Sequence, residues 1–150
     1  MEDELDLNEN EELSRNQLQK IAMTSIYDVL TYIDMKEKVD VESIVSSLCE
    51  TPYSDCDYFV KATTIMAIKE YDKAIELFNA NMRKWTFSRL NRVEQAILLL
   101  SYVHFFYVDP KVDKRIVIDI AIKLAKTYLE EKDYKFVNAI LDKVLNRESE

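Results

Sequence analysis

Residues 89–107 read RLNRVEQAILLLSYVHFFY. From Ala96 onward almost every position is apolar, so a helix over this stretch would carry apolar side chains on all of its faces. A helix of that kind lies in the core of a protein and not at its surface. The stretch therefore predicts the buried central helix of a bundle, and the Asp109–Pro110 step predicts where that helix ends.

Apolar residues at spacings of three and four predict further helices on both sides of the central one. The predicted helices cover Ser14–Met35, Val41–Leu48, Asp55–Met82, Lys114–Leu129 and Tyr134–Leu145. The connections between them are short, which is typical of antiparallel neighbours. For these 150 residues we expect one all-α domain of about six or seven helices over residues 13–147. Residues 1–12 are acidic, and we expect them to be disordered.

The sequence contains no glycine, and this excludes several classes of enzyme. A phosphate-binding P-loop and a dinucleotide-binding turn both need glycines where the backbone approaches the ligand, and so does the nucleophile elbow of an α/β-hydrolase. The only histidine, His104, lies among apolar residues of the central helix, and we expect it to pack in the core. We therefore expect a binding protein with no cofactor and no enzymatic activity.

The two cysteines, Cys49 and Cys56, offer too few ligands for a metal site. We expect two reduced thiols, with a disulfide as the alternative. The most apolar run, Ala96–Val108, is too short to span a bilayer, and the N-terminus does not have the pattern of a signal peptide. We expect a cytoplasmic protein with no membrane partner.

Charge is unevenly distributed along the chain, whose formal net charge is −8. Residues 1–12 carry seven acidic residues and no basic one, whereas residues 84–147 carry 12 basic and 8 acidic residues. Trp85 lies in the connection before the central helix; we expect it to fill the core, with stacking on a base as the alternative. Basic residues around that connection can hold phosphates, with ordinary surface charge as the alternative. They are Arg83, Lys84, Arg89 and Arg92.

Three segments of the C-terminal part resemble the NusB family of transcription antitermination factors. They are RLNRVEQAIL at 89–98, IKLAK at 122–126 and KFVNAILDK at 135–143. The last differs from the family's KFVNGVLDK at two positions, and Arg15 followed by Ile26 and Tyr27 fits the family's first helix. The matching order and spacing extend over roughly Ser14 to Leu145. The resemblance implies a seven-helix domain made of two small helical bundles at right angles.

The resemblance also implies a function. Members of the family bind boxA, a short single-stranded RNA element of ribosomal RNA leader transcripts, usually together with NusE, a small-subunit ribosomal protein. That assembly helps RNA polymerase to read through terminators. Single-stranded RNA is typically held by basic side chains on its phosphates and by aromatic rings against its bases. The expected partners are therefore boxA-like RNA, NusE and the RNA polymerase antitermination complex.

The family's RNA-binding positions can be carried over residue by residue. Its arginine-rich opening falls on four residues of the first helix, and its aromatic RNA neighbour falls on a tyrosine of the same helix. One acidic position lies at the start of the central helix, and two late positions fall on lysines. The RNA-binding residues so implied are Arg15, Asn16, Gln17, Gln19, Tyr27, Glu94, Lys132 and Lys135.

The sequence also departs from the family pattern. Leu99 and His104 stand where the family usually has an arginine and a glutamate, and Ile120 replaces another glutamate. Leu129 and Ala139 replace glycines. Only one residue of the arginine-rich opening is still an arginine, so RNA affinity and its salt dependence should be lower than is usual in the family.

Two alternatives follow from these departures. One is a protein–protein interaction module of the NusB fold, or a homodimer, with weakened RNA binding. The other is the RNA-targeting domain of a ribosomal RNA cytosine methyltransferase. The second is disfavoured, because no glycine-containing methyl-donor domain accompanies the helical domain.

Overall fold

The structure is a computed structural model that describes residues 15–147. The predicted disordered segment 1–12 and the predicted helix start at Ser14 lie outside these residues and stay predictions, as does the domain boundary at residue 13. Over the described part the chain forms seven α-helices and no strand, which confirms the all-α prediction. The helices are α1 (Glu2–Asp34, described from Arg15), α2 (Val41–Cys49), α3 (Tyr58–Lys69), α4 (Tyr71–Ala80), α5 (Arg92–Val103), α6 (Lys114–Tyr128) and α7 (Glu131–Val144).

Short acidic or amide side chains fix the starts of four helices. Asp57 accepts a hydrogen bond of 2.7 Å from the Phe59 N–H at the start of α3, and Asp113 accepts one of 2.8 Å from the Arg115 N–H at the start of α6. Each such cap satisfies a backbone donor that has no partner inside the helix. The other two capping residues are Asp40 and Asn91.

The predicted long helix over Asp55–Met82 is wrong, because it is two helices, α3 and α4, separated at Glu70. Apolar residues keep a helical spacing across this break, so periodicity alone does not show it. The break also lacks the glycine or proline that usually marks a helix end. The last helix begins at Glu131 and not at the predicted Tyr134, so the connection before it is shorter than expected.

The central position predicted for the 89–107 segment is confirmed. Every residue of α5 from Glu94 to Val103 is buried, and Ile97, Leu98 and Leu99 are completely so. α5 packs against α1, α3, α4, α6 and α7. α5 is therefore the central helix of the domain. Its first turn lies next to the first turns of α7.

The C-terminal end of α5 runs into a π-helical segment, His104–Val108. His104 is 8% exposed and its ring meets the Phe59 ring edge-on with a centroid distance of 4.9 Å, which confirms the predicted packing role. Arg147 closes this end: its guanidinium donates hydrogen bonds of 2.7 Å to the carbonyls of Phe105 and Val112 and lies 3.9 Å from the Phe105 ring centroid.

Cys49 and Cys56 both carry free thiols. Over residues 15–147 the structure brings together no group of three or more side chains that could hold a metal ion. In the same range no helix is both long and apolar enough to cross a membrane.

Candidate nucleic-acid interface

A cleft of about 330 Å³ lies between the start of α5 and the start of α7. A 3₁₀ turn, Phe87–Arg89, leads into α5 and forms one wall, and the first turns of α7 form the other. Two of the residues implied by the resemblance, Glu94 and Lys132, meet here. We call this the Trp85 cleft; its lining residues are Trp85, Arg89, Leu90, Asn91, Glu94, Lys132, Asp133 and Phe136.

Glu94 is buried beneath the Trp85 cleft, with 6% of its surface exposed. Asn91 and Glu94 bind one another reciprocally. The Asn91 amide donates to Glu94 Oε1 at 2.7 Å, and the Glu94 N–H donates to Asn91 Oδ1 at 2.9 Å. Burial, the largest cause, and the nearby Asp133 carboxylate both raise the pKa of Glu94, Lys132 lowers it, and the net value is about 7. Near neutral pH the carboxyl group is therefore present in both charged and neutral forms.

The prediction that Trp85 fills the core is wrong, since 51% of its surface is exposed. Phe87 takes the core position instead: it is 1% exposed, stacks on Phe78 at 5.7 Å, and its N–H donates to Asn79 Oδ1 at 2.7 Å. Trp85 lies two residues earlier, outside the 3₁₀ turn. The Arg89 guanidinium lies over the Trp85 ring, 5.7 Å from the ring centroid.

Arg89, Asn91 and Phe136 lie in the cleft but were not among the implied residues. The cluster of basic residues around Trp85 was the one signal in the sequence that pointed to Arg89. Nothing in the sequence pattern placed Phe136 opposite, because that contact depends on how α7 packs across the start of α5.

The opening of α1 lies on a second cleft, of about 340 Å³, formed with α6. Asn16 and Gln19 line it together with Lys20, Lys123 and the side chain of Thr127. Its polar lining is a mixture of amides, lysines and a hydroxyl. The second cleft has no lining residue in common with the Trp85 cleft. Arg15 and Gln17 are exposed on α1 but are not part of its lining.

Tyr27 is half-buried in the contact between α1 and α5. The Arg92 guanidinium lies 5.8 Å from the centroid of the Tyr27 ring, donates a hydrogen bond of 3.2 Å to Thr31 Oγ1, and forms an ion pair with Asp34. One face of the Tyr27 ring is therefore already occupied by an arginine. The contact fixes Arg92 in the first turn of α5, next to the Trp85 cleft.

Lys135 is exposed on α7 and forms an ion pair of 3.0 Å with Glu131, one turn earlier. Exposed pairs of this kind are weak, so Lys135 can exchange Glu131 for another anion at little cost. Lys135 also lines a groove between α6 and α7 of about 410 Å³. Lys123 and Lys126 line the same groove, with the Lys126 ammonium 5.3 Å from the centroid of the Tyr134 ring.

Neighbouring clefts share lysine side chains. Lys123 lines both the α1–α6 cleft and the α6–α7 groove, and Lys135 lines that groove and a shallow depression at the start of α7. Lys132 lines the depression and the Trp85 cleft. One continuous surface, which we call the basic track, thus connects the opening of α1 with the start of α5. Its basic residues are Lys20, Lys123, Lys126, Lys135, Lys132 and Arg89.

The model of the NusB family matches residues 16–146 of the chain. Transcription antitermination protein NusB of Finegoldia magna is 30% identical over 138 residues, which cover 90% of this chain and 96% of that protein. The protein of the same name from Treponema denticola is 44% identical over 84 residues, or 56% of this chain and 59% of its own length.

Solved structures agree with this fold. T. maritima NusB matches with a TM-score of 0.72 at 22% identity, over 87% of this chain and 89% of that chain. A chain in the crystal structure of a plectonemic RNA supercoil matches with a TM-score of 0.68 at 19% identity, over 87% and 92% of the two chains. Together with the family match, which covers nearly all of the described residues, these findings show that the chain belongs to the NusB family.

Proposed function

We propose that this chain is a transcription antitermination factor that binds boxA-like single-stranded RNA of ribosomal RNA leader transcripts. In this proposal it acts with the ribosomal protein NusE, within the RNA polymerase antitermination complex. The basic track is the observation that carries the proposal, because it joins five of the eight implied residues, Asn16, Gln19, Glu94, Lys132 and Lys135, on one surface. The proposal includes no enzymatic activity and no cofactor, and such a factor would work in the cytoplasm.

The electrostatics of the basic track support a phosphate backbone as its ligand. Among the described residues Lys20, Lys123 and Lys132 form no ion pair, so each can neutralise a phosphate without first losing a partner. The basic side chains are interrupted by acidic ones, which would weaken purely electrostatic binding and favour a strand held at defined points. These acidic residues are Glu94, Asp119, Glu130, Glu131 and Asp133.

The polar residues at the start of α1 fit a reduced contribution from that end of the track. Asn16 and Gln19 can donate hydrogen bonds to phosphate or base, but neither releases a counterion. We therefore expect RNA binding to be weaker and less dependent on salt than an arginine-rich opening would give. NusE would then contribute a larger share of the affinity of the ternary complex.

Fluorescence anisotropy tests the proposal directly. A labelled boxA-like oligonucleotide is titrated with the full chain, with and without NusE, and a scrambled oligonucleotide of the same composition is the control. We expect the boxA-like strand to bind more tightly than the scrambled one, and NusE to increase the difference. Equal binding of the two strands, or no binding even with NusE present, contradicts the proposal.

A protein–protein module, with self-association as its simplest form, is the second candidate. It is favoured by exposed apolar residues on α6, where 53% of Ile116 and 47% of Tyr128 are exposed. An exposed apolar side chain that a second chain covers contributes favourably to association. Light scattering over a dilution series distinguishes the two candidates. A dimer that persists on dilution and does not bind the oligonucleotide supports the second.

A further inference from the structure

Trp85 lines the Trp85 cleft but is not among the RNA-binding residues that the family resemblance implies. It is the only tryptophan of the chain, and half of its surface is exposed although it is the largest apolar side chain available to the core. Tryptophan is highly buried on average and is enriched at interfaces, so a half-exposed one that lines a cleft is suited to contact a ligand.

The Trp85 ring is held in place before any ligand arrives. The Arg89 guanidinium lies over it at 5.7 Å from the ring centroid, and the Arg89 N–H donates to the Thr86 carbonyl at 3.0 Å. The buried Phe87 anchors the turn between them. A ring fixed in this way loses little conformational freedom when a second flat group stacks against it.

The opposite wall and the floor of the cleft complete a slot for one flat polar ring. Phe136 and Lys132 of α7 line the wall opposite Trp85, and the Glu94 carboxyl group lies at the floor. A volume of about 330 Å³ is at the small end of ligand pockets, so it suits a single nucleotide and not a helix or a folded segment. Arg89 and Lys132 are the two basic residues of the lining, one from each wall.

We propose that Trp85 is a stacking platform for one unpaired base of the bound RNA. Arg89 and Lys132 bind the adjacent phosphates, and the Glu94 carboxyl group forms a hydrogen bond with the edge of the stacked base. This inference rests on the proposed RNA-binding function. It adds Trp85 and Arg89 to the interface and locates one end of the bound strand at the start of α5.

The fluorescence of Trp85 reports on this slot alone, because the chain has no other tryptophan. Titration with the boxA-like oligonucleotide, in the presence of NusE lacking tryptophan, should quench the emission, and the midpoint should agree with that from anisotropy. Replacing each base in turn by an abasic site should identify one position at which quenching is lost while most of the binding is kept, since the phosphates remain.

Variants separate stacking from charge. Trp85→Ala should weaken RNA binding about tenfold, since stacking on an aromatic ring contributes this much per base, and Trp85→Phe should restore most of it. Neither variant should change the dependence of affinity on salt, because no phosphate contact is lost. The matched control is Tyr58→Ala, since Tyr58 is 73% exposed at the start of α3 and lines none of the clefts of the basic track.

The outcomes distinguish failure of the stacking role of Trp85 from failure of the proposed RNA-binding function. RNA binding without a change in emission, together with unchanged affinity of Trp85→Ala, overturns the stacking role and leaves the proposed function standing. A change in emission on adding NusE alone, with no further change on adding RNA, overturns it in favour of a protein contact. No RNA binding by any form of the protein overturns both.

Discussion

The first turn of α5 and the turns that follow belong to one helix but have opposite surroundings. Asn91 and Glu94 lie against an open cleft, whereas Ile97–Val103 is enclosed by other helices. Burial disfavours the charged form of the titratable group in each region: it raises the pKa of Glu94 to about 7 and lowers the pKa of His104. Desolvation therefore acts in the same way at both ends of the helix.

The neighbours of the two groups are what differ. Glu94 is influenced by Asp133 and Lys132, which line the same cleft and are accessible to a ligand. His104 packs edge-on against Phe59, and the one charge that affects it is Asp109. A charged ligand can thus change the protonation of Glu94, while His104 stays a neutral packing residue. The acidic position of the family is kept at the cleft, and the family's charged positions further along the helix are replaced.

Leu99→Arg should have the largest effect on stability, since it returns the family's usual arginine to the enclosed part of α5. Leu99 is 0% exposed, so a guanidinium at this position would be removed from water. We expect a loss of about 4 kcal/mol or more in the free energy of unfolding, measured by urea denaturation. Two substitutions serve as controls. Leu99→Met should lower the free energy of unfolding by less than about 1.5 kcal/mol, and Ile120→Glu, at a half-buried position, should change it by no more than about 1 kcal/mol. A small effect of Leu99→Arg would show that water or a counter-charge reaches this part of the helix.

The titration of Glu94 should give the next largest effect. Between pH 4.5, the ordinary value for glutamate, and about pH 7, the folded protein keeps a proton that the unfolded chain has lost. Stability should therefore fall as the pH rises through this range and level off above it. The fall should be roughly 2–3 kcal/mol, since each pKa unit corresponds to about 1.4 kcal/mol and solvent in the open cleft screens part of the effect.

Glu94→Gln provides the control for this titration. It keeps an oxygen that can accept the hydrogen bond from Asn91, and it removes the charge. Its unfolding free energy should no longer fall as the pH rises from 5 to 8 and should keep only the opposite dependence that the lowered pKa of His104 causes, a loss of stability as the pH drops below 6.5. Urea denaturation at intervals of half a pH unit measures this. RNA affinity of the wild type should also decrease as the pH rises through this range, and Glu94→Gln should not show that decrease. Parallel pH profiles of the two proteins would mean that Glu94 is not the titrating group.

Arg147 closes the C-terminal end of α5, and its removal tests what this contact contributes. Arg147→Ala loses hydrogen bonds to the carbonyls of Phe105 and Val112 and the contact with the Phe105 ring. We expect a loss of about 1–2 kcal/mol in the free energy of unfolding and no change in RNA affinity. Arg147→Lys should recover little, because an ammonium group cannot reproduce the planar fork. If Arg147→Ala binds RNA more weakly under conditions in which it is fully folded, the two ends of α5 are coupled.

The sequence predicted the parts of this fold that depend on apolar spacing and on helix-ending residues. The burial of Ile97–Val103 follows directly from the composition of that segment. The break at Glu70 could not be predicted, because the apolar spacing continues across it and no glycine or proline marks it. The resemblance supplied the implied RNA residues, and the basic track that connects several of them depends on how α6 and α7 pack.

Trp85 shows why side-chain placement is harder to predict than helices. Trp85 and Phe87 are two large apolar residues in one short connection, and only one of them fits beside Phe78. The choice depends on the 3₁₀ turn and on the hydrogen bond from the Phe87 N–H to Asn79, which is eight residues away in sequence. No local pattern contains that information.

Replacement of Lys132, a lysine of the Trp85 cleft, should change RNA affinity only slightly. Lys132→Gln removes one positive charge next to the first turn of α5, so RNA affinity should fall a few-fold and the slope of log affinity against log salt should decrease by about one. Lys38→Gln is the matched control, because Lys38 is exposed between α1 and α2 and lines none of the clefts of the basic track. Loss of Lys132 should also raise the pKa of Glu94, since the lysine lowers it, and the pH dependence of stability should extend to higher pH. Equal salt slopes for Lys132→Gln, Lys38→Gln and wild type would place the RNA backbone away from the start of α5, whatever the affinity.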